Sequence, residues 1–217
     1  MNYHSFCFEE KIMKNGAEKA SEKAPNDKYE RIIQAATRVF ASKGFYNAKV
    51  ADVAREADVA DGTIYLYFKN KDDLLISIFE HSMDSFIQGV QKTLEGVTDP
   101  IEKLNRFIRL HLELVQKNQD VAQVLQIELR QSSKFMKEYA ATKFRDYLDI
   151  ISSILEEGQK QGVFNPDINA AIIKRTLFGA VDEMALDWVL MKKKKYTIQE
   201  VADQLCILFT NGLRVSA

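Results

Sequence analysis

Between Lys49 and Lys71 the chain gathers side chains suited to gripping a polyanion and reading its edges. Asp61, Gly62, Thr63, Tyr65, Leu66 and Tyr67 follow one another closely, flanked by Lys49, Lys69 and Lys71. Hydroxyl and ammonium groups donate to phosphate oxygens, a glycine admits a close backbone, and an apolar side chain can meet a thymine methyl. No catalytic constellation competes with this cluster. No Ser/His/Asp or Cys/His arrangement stands out, and His4, His81, His111, Cys7 and Cys206 lack metal-ligand spacing. Neither an enzyme nor a cofactor is expected.

The elements that must position the cluster follow from periodicity. Val50, Val53 and Ala54 share one face of a short helix at i, i+3, i+4. After a turn at Asp58, Ile64 and Phe68 repeat at i+4 and would pack back on that face, leaving Thr63, Tyr65, Leu66 and Tyr67 outward or flanking. Two short helices joined this way have the layout of a helix-turn-helix, whose second helix enters the DNA major groove. Upstream, Pro25-Asn26-Asp27 opens an amphipathic helix through Ile32, Ile33, Ala36, Val39 and Phe40, closed by Gly44. Downstream, Lys71-Asp72-Asp73 opens a long helix to about Leu94, its acidic first turn matched to the helix dipole.

The remaining chain is helical as well. Asp99-Pro100 is a cap and N1 pair for a helix to Asn118. Further helices are expected over about Asp120–Arg130, from Ser133 to Gly158 or Gly162, over Ile168–Lys192 and over Thr197–Leu213. The last two are apolar around much of their circumference, which asks for burial on more than one side. The expectation is an all-α protein of about nine helices in three segments. Residues 1–24 read as a disordered tail, because between Glu9 and Lys23 four lysines balance four glutamates. Met13 is an alternative start within it, and a minor-groove arm of Lys14, Lys19 and Lys23 is its functional alternative. Residues 25–70 form a three-helix DNA-binding domain, and residues 71–217 a larger effector-binding and dimerisation domain.

The net charge of the 217 residues is −1, so the chain is no general nucleic-acid sponge. Between Asp27 and Asp73 eight basic residues meet eight acidic ones. Phosphate contact supplies most DNA affinity, so the claim rests on where Lys49, Lys69 and Lys71 sit. No run of about 18 apolar residues would span a membrane and no signal-peptide core opens the chain, which makes a cytoplasmic location the default.

The segment from Phe40 to Leu74 carries Phe40, Gly44, Phe45, Val50, Val53, Ala54, Ala57, Val59, Gly62-Thr63-Ile64-Tyr65, Tyr67-Phe68 and Asn70-Lys71 in order. It resembles the DNA-binding domain of the TetR family of bacterial repressors. The resemblance implies an Ω-shaped helical homodimer held by a four-helix bundle of the last two helices, with a small-molecule pocket in the second domain. It implies phosphate contacts from Thr63, Tyr67 and Lys71, close backbone approach at Gly62, and base contacts from Tyr65 and Leu66. Lys49 stands where the family usually caps the second helix with a hydroxyl, but could still reach phosphate. Asp58 replaces a turn glycine, and Ala60-Asp61 replace a frequent Ser-Lys; Asp61 could cap the helix or accept from cytosine N4.

A narrower resemblance links Val59–Lys71, Glu128-Leu129-Arg130-Gln131-Ser132 and Phe178-Gly179-Ala180-Val181-Asp182-Glu183 to the fatty-acid-degradation repressors of Gram-positive bacteria. In those, long-chain acyl-CoA releases the repressor from double-stranded operators of β-oxidation genes. An acyl-CoA site needs an apolar tunnel, for which Phe86, Phe107, Leu110, Leu125, Phe144, Leu148, Phe178 and Trp188 are candidates, and cations, for which Arg106, Arg109, Arg130 and Lys134 are candidates. Taken singly, each apolar candidate reads first as core, and each cation fits a solvated face or an ion pair with Glu102, Glu113 or Glu128 at least as well. A C12 chain buried at about 0.8 kcal/mol per CH₂ gives roughly 9 kcal/mol before ordering costs. His111 reads as a satisfied histidine, while Asp182, Glu183 and Asp187 leave open a lipophilic-cation effector and an efflux-pump operator. An acyl-CoA enzyme or carrier would leave the N-terminal motif unexplained, and an activator differs only in operator position.

Overall fold

The computed structural model describes residues 25–129 and 143–215. The tail over 1–24, Arg130, Lys134 and the helix start at Ser133 lie outside the described residues. Among the described residues the chain is helical and no strand is formed. Helix α1 (Pro25–Lys43) buries the Ile32, Ile33, Ala36, Val39 and Phe40 stripe and ends where Gly44 adopts φ +77° and returns its N–H to Phe40 O at 3.0 Å. A residue with a Cβ is strained in that left-handed conformation.

Helices α2 (Val50–Glu56) and α3 (Asp61–Tyr67) turn about Asp58, whose φ of +53° is the left-handed conformation that Asp tolerates better than most residues. Arg31 on α1 closes this turn, donating to Ala57 O at 2.6 Å. Helix α4 (Lys71–Leu94) starts at the Asn70 cap, which accepts from Asp73 N at 2.9 Å. Helix α5 (Pro100–Lys117) starts at Asp99, whose carboxylate accepts from Ile101 N at 3.0 Å.

After α5 the chain departs from simple periodicity. Helix α6 (Gln119–Gln123) passes directly into a π-helical turn over Val124–Glu128. Helix α7 (Lys143–Lys160), helix α8 (Ala170–Leu190, capped by Asn169) and helix α9 (Ile198–Leu213, with the Thr197/Glu200 capping box) complete the chain. Each of the last two is shorter than its apolar pattern suggests, because Asn169 and Thr197 supply the caps and Leu190 is followed by extended backbone.

Two apolar cores result. One holds α1 to α3 and the first turns of α4, from Ile32 to Phe79; the other holds Phe86 to Leu213. Val124 and Leu129, at the two ends of the π turn, belong to the first core although they come from the second half of the chain. The π turn packs against both α1 and α8. Ile172, Leu190, Ile207 and Leu208 remain exposed on α8 and α9, an apolar face of the kind that pairs with another surface.

Candidate DNA-reading head and effector cavity

The reading head is built from the inside out. Ile64 and Phe68 are buried against Val53 and Ala54, so the opposite side of α3 must face outward. Leu66 is 82% exposed and Tyr65 is 58% exposed, both at the positions expected to meet base edges. Asp61 and Gly62 are exposed and Thr63 is half-buried. A Cβ on Gly62 would meet nothing within 4 Å, so nothing inside the chain demands glycine there. Tyr46, in the α1–α2 loop, is 67% exposed as well. Its only sequence signal was an aromatic residue between Phe45 and Asn47, too weak to single out.

Several side chains sit differently from their expected roles. Asp61 does not cap α3: Ala60 holds the cap position and Asp61 is the first helical residue. Its contribution to the helix is its charge near the dipole's positive end. Lys49 is the cap residue of α2 and has no acceptor to offer. The cap is completed from the other side, where Asp52 accepts from Lys49 N at 3.1 Å. The hydrogen bond and ion pair with Lys43, followed by the Lys49 amide, hold the Asp52 carboxyl below its ordinary pKa. The Lys49 side chain itself stays exposed.

Lys71 is the larger revision. Its ammonium donates to Phe45 O at 2.7 Å, Ala48 O at 3.0 Å and Tyr46 O at 3.2 Å, and lies 4.5 Å from the Phe45 ring centroid. A lysine has three donors, and three carbonyls of one loop take them. In the absence of DNA these bonds staple α4 to the α1–α2 loop. Tyr67 is likewise half-buried, with its ring centroid 6.3 Å from that of Tyr29.

A cavity of about 1110 Å³ opens beside the head. It exceeds the roughly 300–1,000 Å³ of ordinary small-molecule sites. Phe86, Leu125, Phe144 and Phe178 line it as expected, together with His111, Tyr147, Gln126 and Asp182. Ile33, Gln34, Thr37 and Arg38 of α1 form part of its wall, so the cavity touches the DNA-binding core itself. Helical periodicity could not have shown that contact between distant segments.

The other candidates lie elsewhere. Phe107 and Leu148 are buried core, Leu110 packs behind them, and Trp188 is buried beneath Lys194. Arg106 is held by Glu102 at 2.7 Å and by Thr93 O at 3.0 Å, and Arg109 pairs with Asp203 on α9. Both are spent on packing α5 and neither lines the cavity. Among the described residues, the Lys and Arg side chains that line the cavity are Arg38, which pairs with Glu56 at 2.7 Å, and Lys117.

Inside, Tyr147 Oη and His111 Nδ1 are 3.1 Å apart and share a hydrogen bond. Burial depresses the His111 pKa to about 4, partly opposed by Asp182, and the ring is neutral at physiological pH. Burial, then Asp182, pushes the Tyr147 phenol far up. Gln126 donates to Asp182 at 2.9 Å, tying the π turn to α8. His111 is thus both satisfied and part of the cavity wall. Among the described residues no group of His, Cys, Asp and Glu could hold a metal ion, and no helix is long and apolar enough to cross a membrane.

A helix-turn-helix head whose core continues into the wall of an apolar cavity defines a DNA-binding regulator. Residues 32–78 match the bacterial regulatory proteins of the tetR family, and residues 79–212 match the C-terminal region of YsiA-like proteins. The chain belongs to the TetR family. It is 35% identical to the fatty acid metabolism regulator protein of Bacillus subtilis (strain 168) over 191 residues, 88% of this chain and 98% of that protein. Its fold is similar to that of the fatty acid degradation regulator FadR from Bacillus halodurans, with a TM-score of 0.81, 35% identity, and coverage of 90% of this chain and 100% of that one. It is also similar to the transcriptional regulator FadR from Bacillus subtilis in complex with stearoyl-CoA, with a TM-score of 0.80, 35% identity, and coverage of 86% and 100%.

Proposed function

We propose that this chain is a cytoplasmic repressor of fatty-acid-degradation genes that binds a palindromic operator as a homodimer and is released by long-chain acyl-CoA. Residues 25–70 act as the reading head and residues 71–217 as the effector and dimerisation part. The observation that carries the reading is the cavity wall shared by α1 and the effector helices, because a ligand filling it presses on the DNA-binding core directly. The acyl chain lies among Phe86, Leu125, Phe144 and Phe178, and the phosphates of the coenzyme lie toward the rim at Arg38 and Lys117. Thr63, Tyr67 and Lys49 serve phosphate, and Tyr65, Leu66 and Asp61 face the bases. The exposed apolar face of α8 and α9 supports pairing with a second copy.

Two heads must fit successive major grooves at a set separation, so a small displacement of α1 and α4 mismatches them. A hundredfold loss of operator affinity needs only about 2.7 kcal/mol of differential ligand binding. Adding oleoyl-CoA to a purified operator complex tests the reading, and undiminished DNA binding at saturating ligand refutes it. One observation favours a second reading: the Asp182 carboxylate faces an aromatic cavity, a setting that also suits a lipophilic cation. Thermal stabilisation by a cationic dye but not by acyl-CoA would transfer the assignment to an efflux-type repressor.

A further inference from the structure

Glu128 and Phe45 lie 83 residues apart in sequence, yet the Glu128 carboxylate accepts from the Phe45 backbone N–H at 2.7 Å. Glu128 is only 7% exposed and closes the π turn that follows α6. We propose that Glu128 is the positioning residue through which the effector helices set the reading head, its carboxylate fixing the Phe45 amide at the approach to α2.

The site on the head side is built to transmit such a hold. Gly44 bends the chain out of α1, and a Cβ there would lie 3.8 Å from both Glu128 oxygens. Phe45 is then gripped twice: Glu128 takes its N–H, and the Lys71 ammonium takes its carbonyl. Its ring packs edge-on against Phe40 with centroids 5.4 Å apart. Ala48 N returns to Gly44 O at 3.1 Å and Lys49 caps α2, so a displacement of Phe45 passes straight into the helix-turn-helix.

The other end of the relay lies in the cavity. Leu125 and Gln126 of the same turn line it, and Gln126 is tied to Asp182 on α8. A π turn carries more residues per turn than an α-helix, so relaxation toward α geometry rotates everything on one side of it. Contents that press on Leu125 and Gln126 therefore act on Glu128 through one turn of backbone. Val124 and Leu129 anchor that turn in the head's own core, which makes the movement one of the head rather than of the turn alone.

The test uses the full chain, an operator selected from random DNA with the wild type, and variants in which its half-sites are moved apart by one base pair. Without ligand, Glu128→Ala is expected to lose about tenfold of the preference for the selected spacing, and Phe45 amide exchange rises by about the same factor. Glu128→Gln keeps an acceptor oxygen and stays within about threefold of wild type on both readouts. Weakening that is equal at all spacings, with Phe45 exchange unchanged, overturns the proposal and leaves Glu128 a packing residue. If Glu128→Ala does not fold, Glu128→Asp, which withdraws the carboxylate by one methylene, is measured by the same two readouts, and the same outcomes support or overturn the proposal. A second arm rests on the proposed function: with palmitoyl-CoA, the ratio of operator Kd with and without ligand is large for wild type and falls toward one in Glu128→Ala. A wild-type ratio of one overturns the acyl-CoA reading alone, since the ligand-free readouts decide the positioning role.

Discussion

Lys71→Met removes the ammonium from the α1–α2 loop while keeping most of the side chain's apolar stem. Three hydrogen bonds from a charged donor and one contact with the Phe45 ring are lost together. Lys71 is half-buried and the freed carbonyls regain water in part, which places each bond at the low end of its range. The net loss is about 2–3 kcal/mol of unfolding free energy. At a urea slope of about 2–3 kcal/mol/M the midpoint falls by about 1 M, measured at fixed protomer concentration because the dimer's stability depends on it. Operator affinity falls as well, since the loop no longer holds α2, but its salt dependence stays as it was. A phosphate contact would behave differently. Each one contributes about 0.9 to the slope of log K against log salt, so losing two per dimer would lower it by about 1.8. A slope lowered by that amount with an unchanged urea midpoint would refute the staple and return Lys71 to the phosphate backbone.

Leu66→Ala leaves stability within about 0.5 kcal/mol, because the side chain is almost fully exposed. Repeated binding-site selection should show relaxed preference at one base pair per half-site, by about 1 kcal/mol, with an unchanged salt slope. His111 has a pKa of about 4 in the folded chain and an ordinary value near 6.5 when unfolded, so between these pH values the unfolded chain binds more protons. Its contribution is fully present above about pH 6.5 and is lost toward pH 4, by about 3 kcal/mol. His111→Gln should flatten that part of the stability–pH curve, and parallel curves for the two proteins would count against burial of a neutral ring. Gly158→Ala would drive a Cβ into the ring of buried Phe164 on the return from α7. Overpacking of that kind costs about 1–3 kcal/mol, and a melting temperature equal to wild type would contradict the contact.

Most of the helices were legible in the sequence because their signals are local. The Asp99 cap with Pro100, the acidic first turn at Asp72 and Asp73, the glycine after Lys43 and the stripes of apolar residues act within a turn or two of themselves. The outward face of α3 was legible for the same reason, since burying Ile64 and Phe68 leaves Tyr65 and Leu66 no other direction. The assignment of cations was not. Arg106 and Arg109 share a helix face at i+3, but whether that face meets a ligand or a neighbouring helix depends on Asp203, about ninety residues away.

The sequence alone thus determined an all-α regulator with an exposed reading helix, because hydrophobic period and capping chemistry suffice for that. Tertiary structure decided what the charges do and where the cavity lies. The Lys71 ammonium meets three carbonyls of one loop, α1 walls the cavity, and the π turn delivers a buried carboxylate to Phe45. Each of these joins segments distant in sequence. A charged group takes the partner that packing brings within about 3 Å, and no local pattern records which partner that will be.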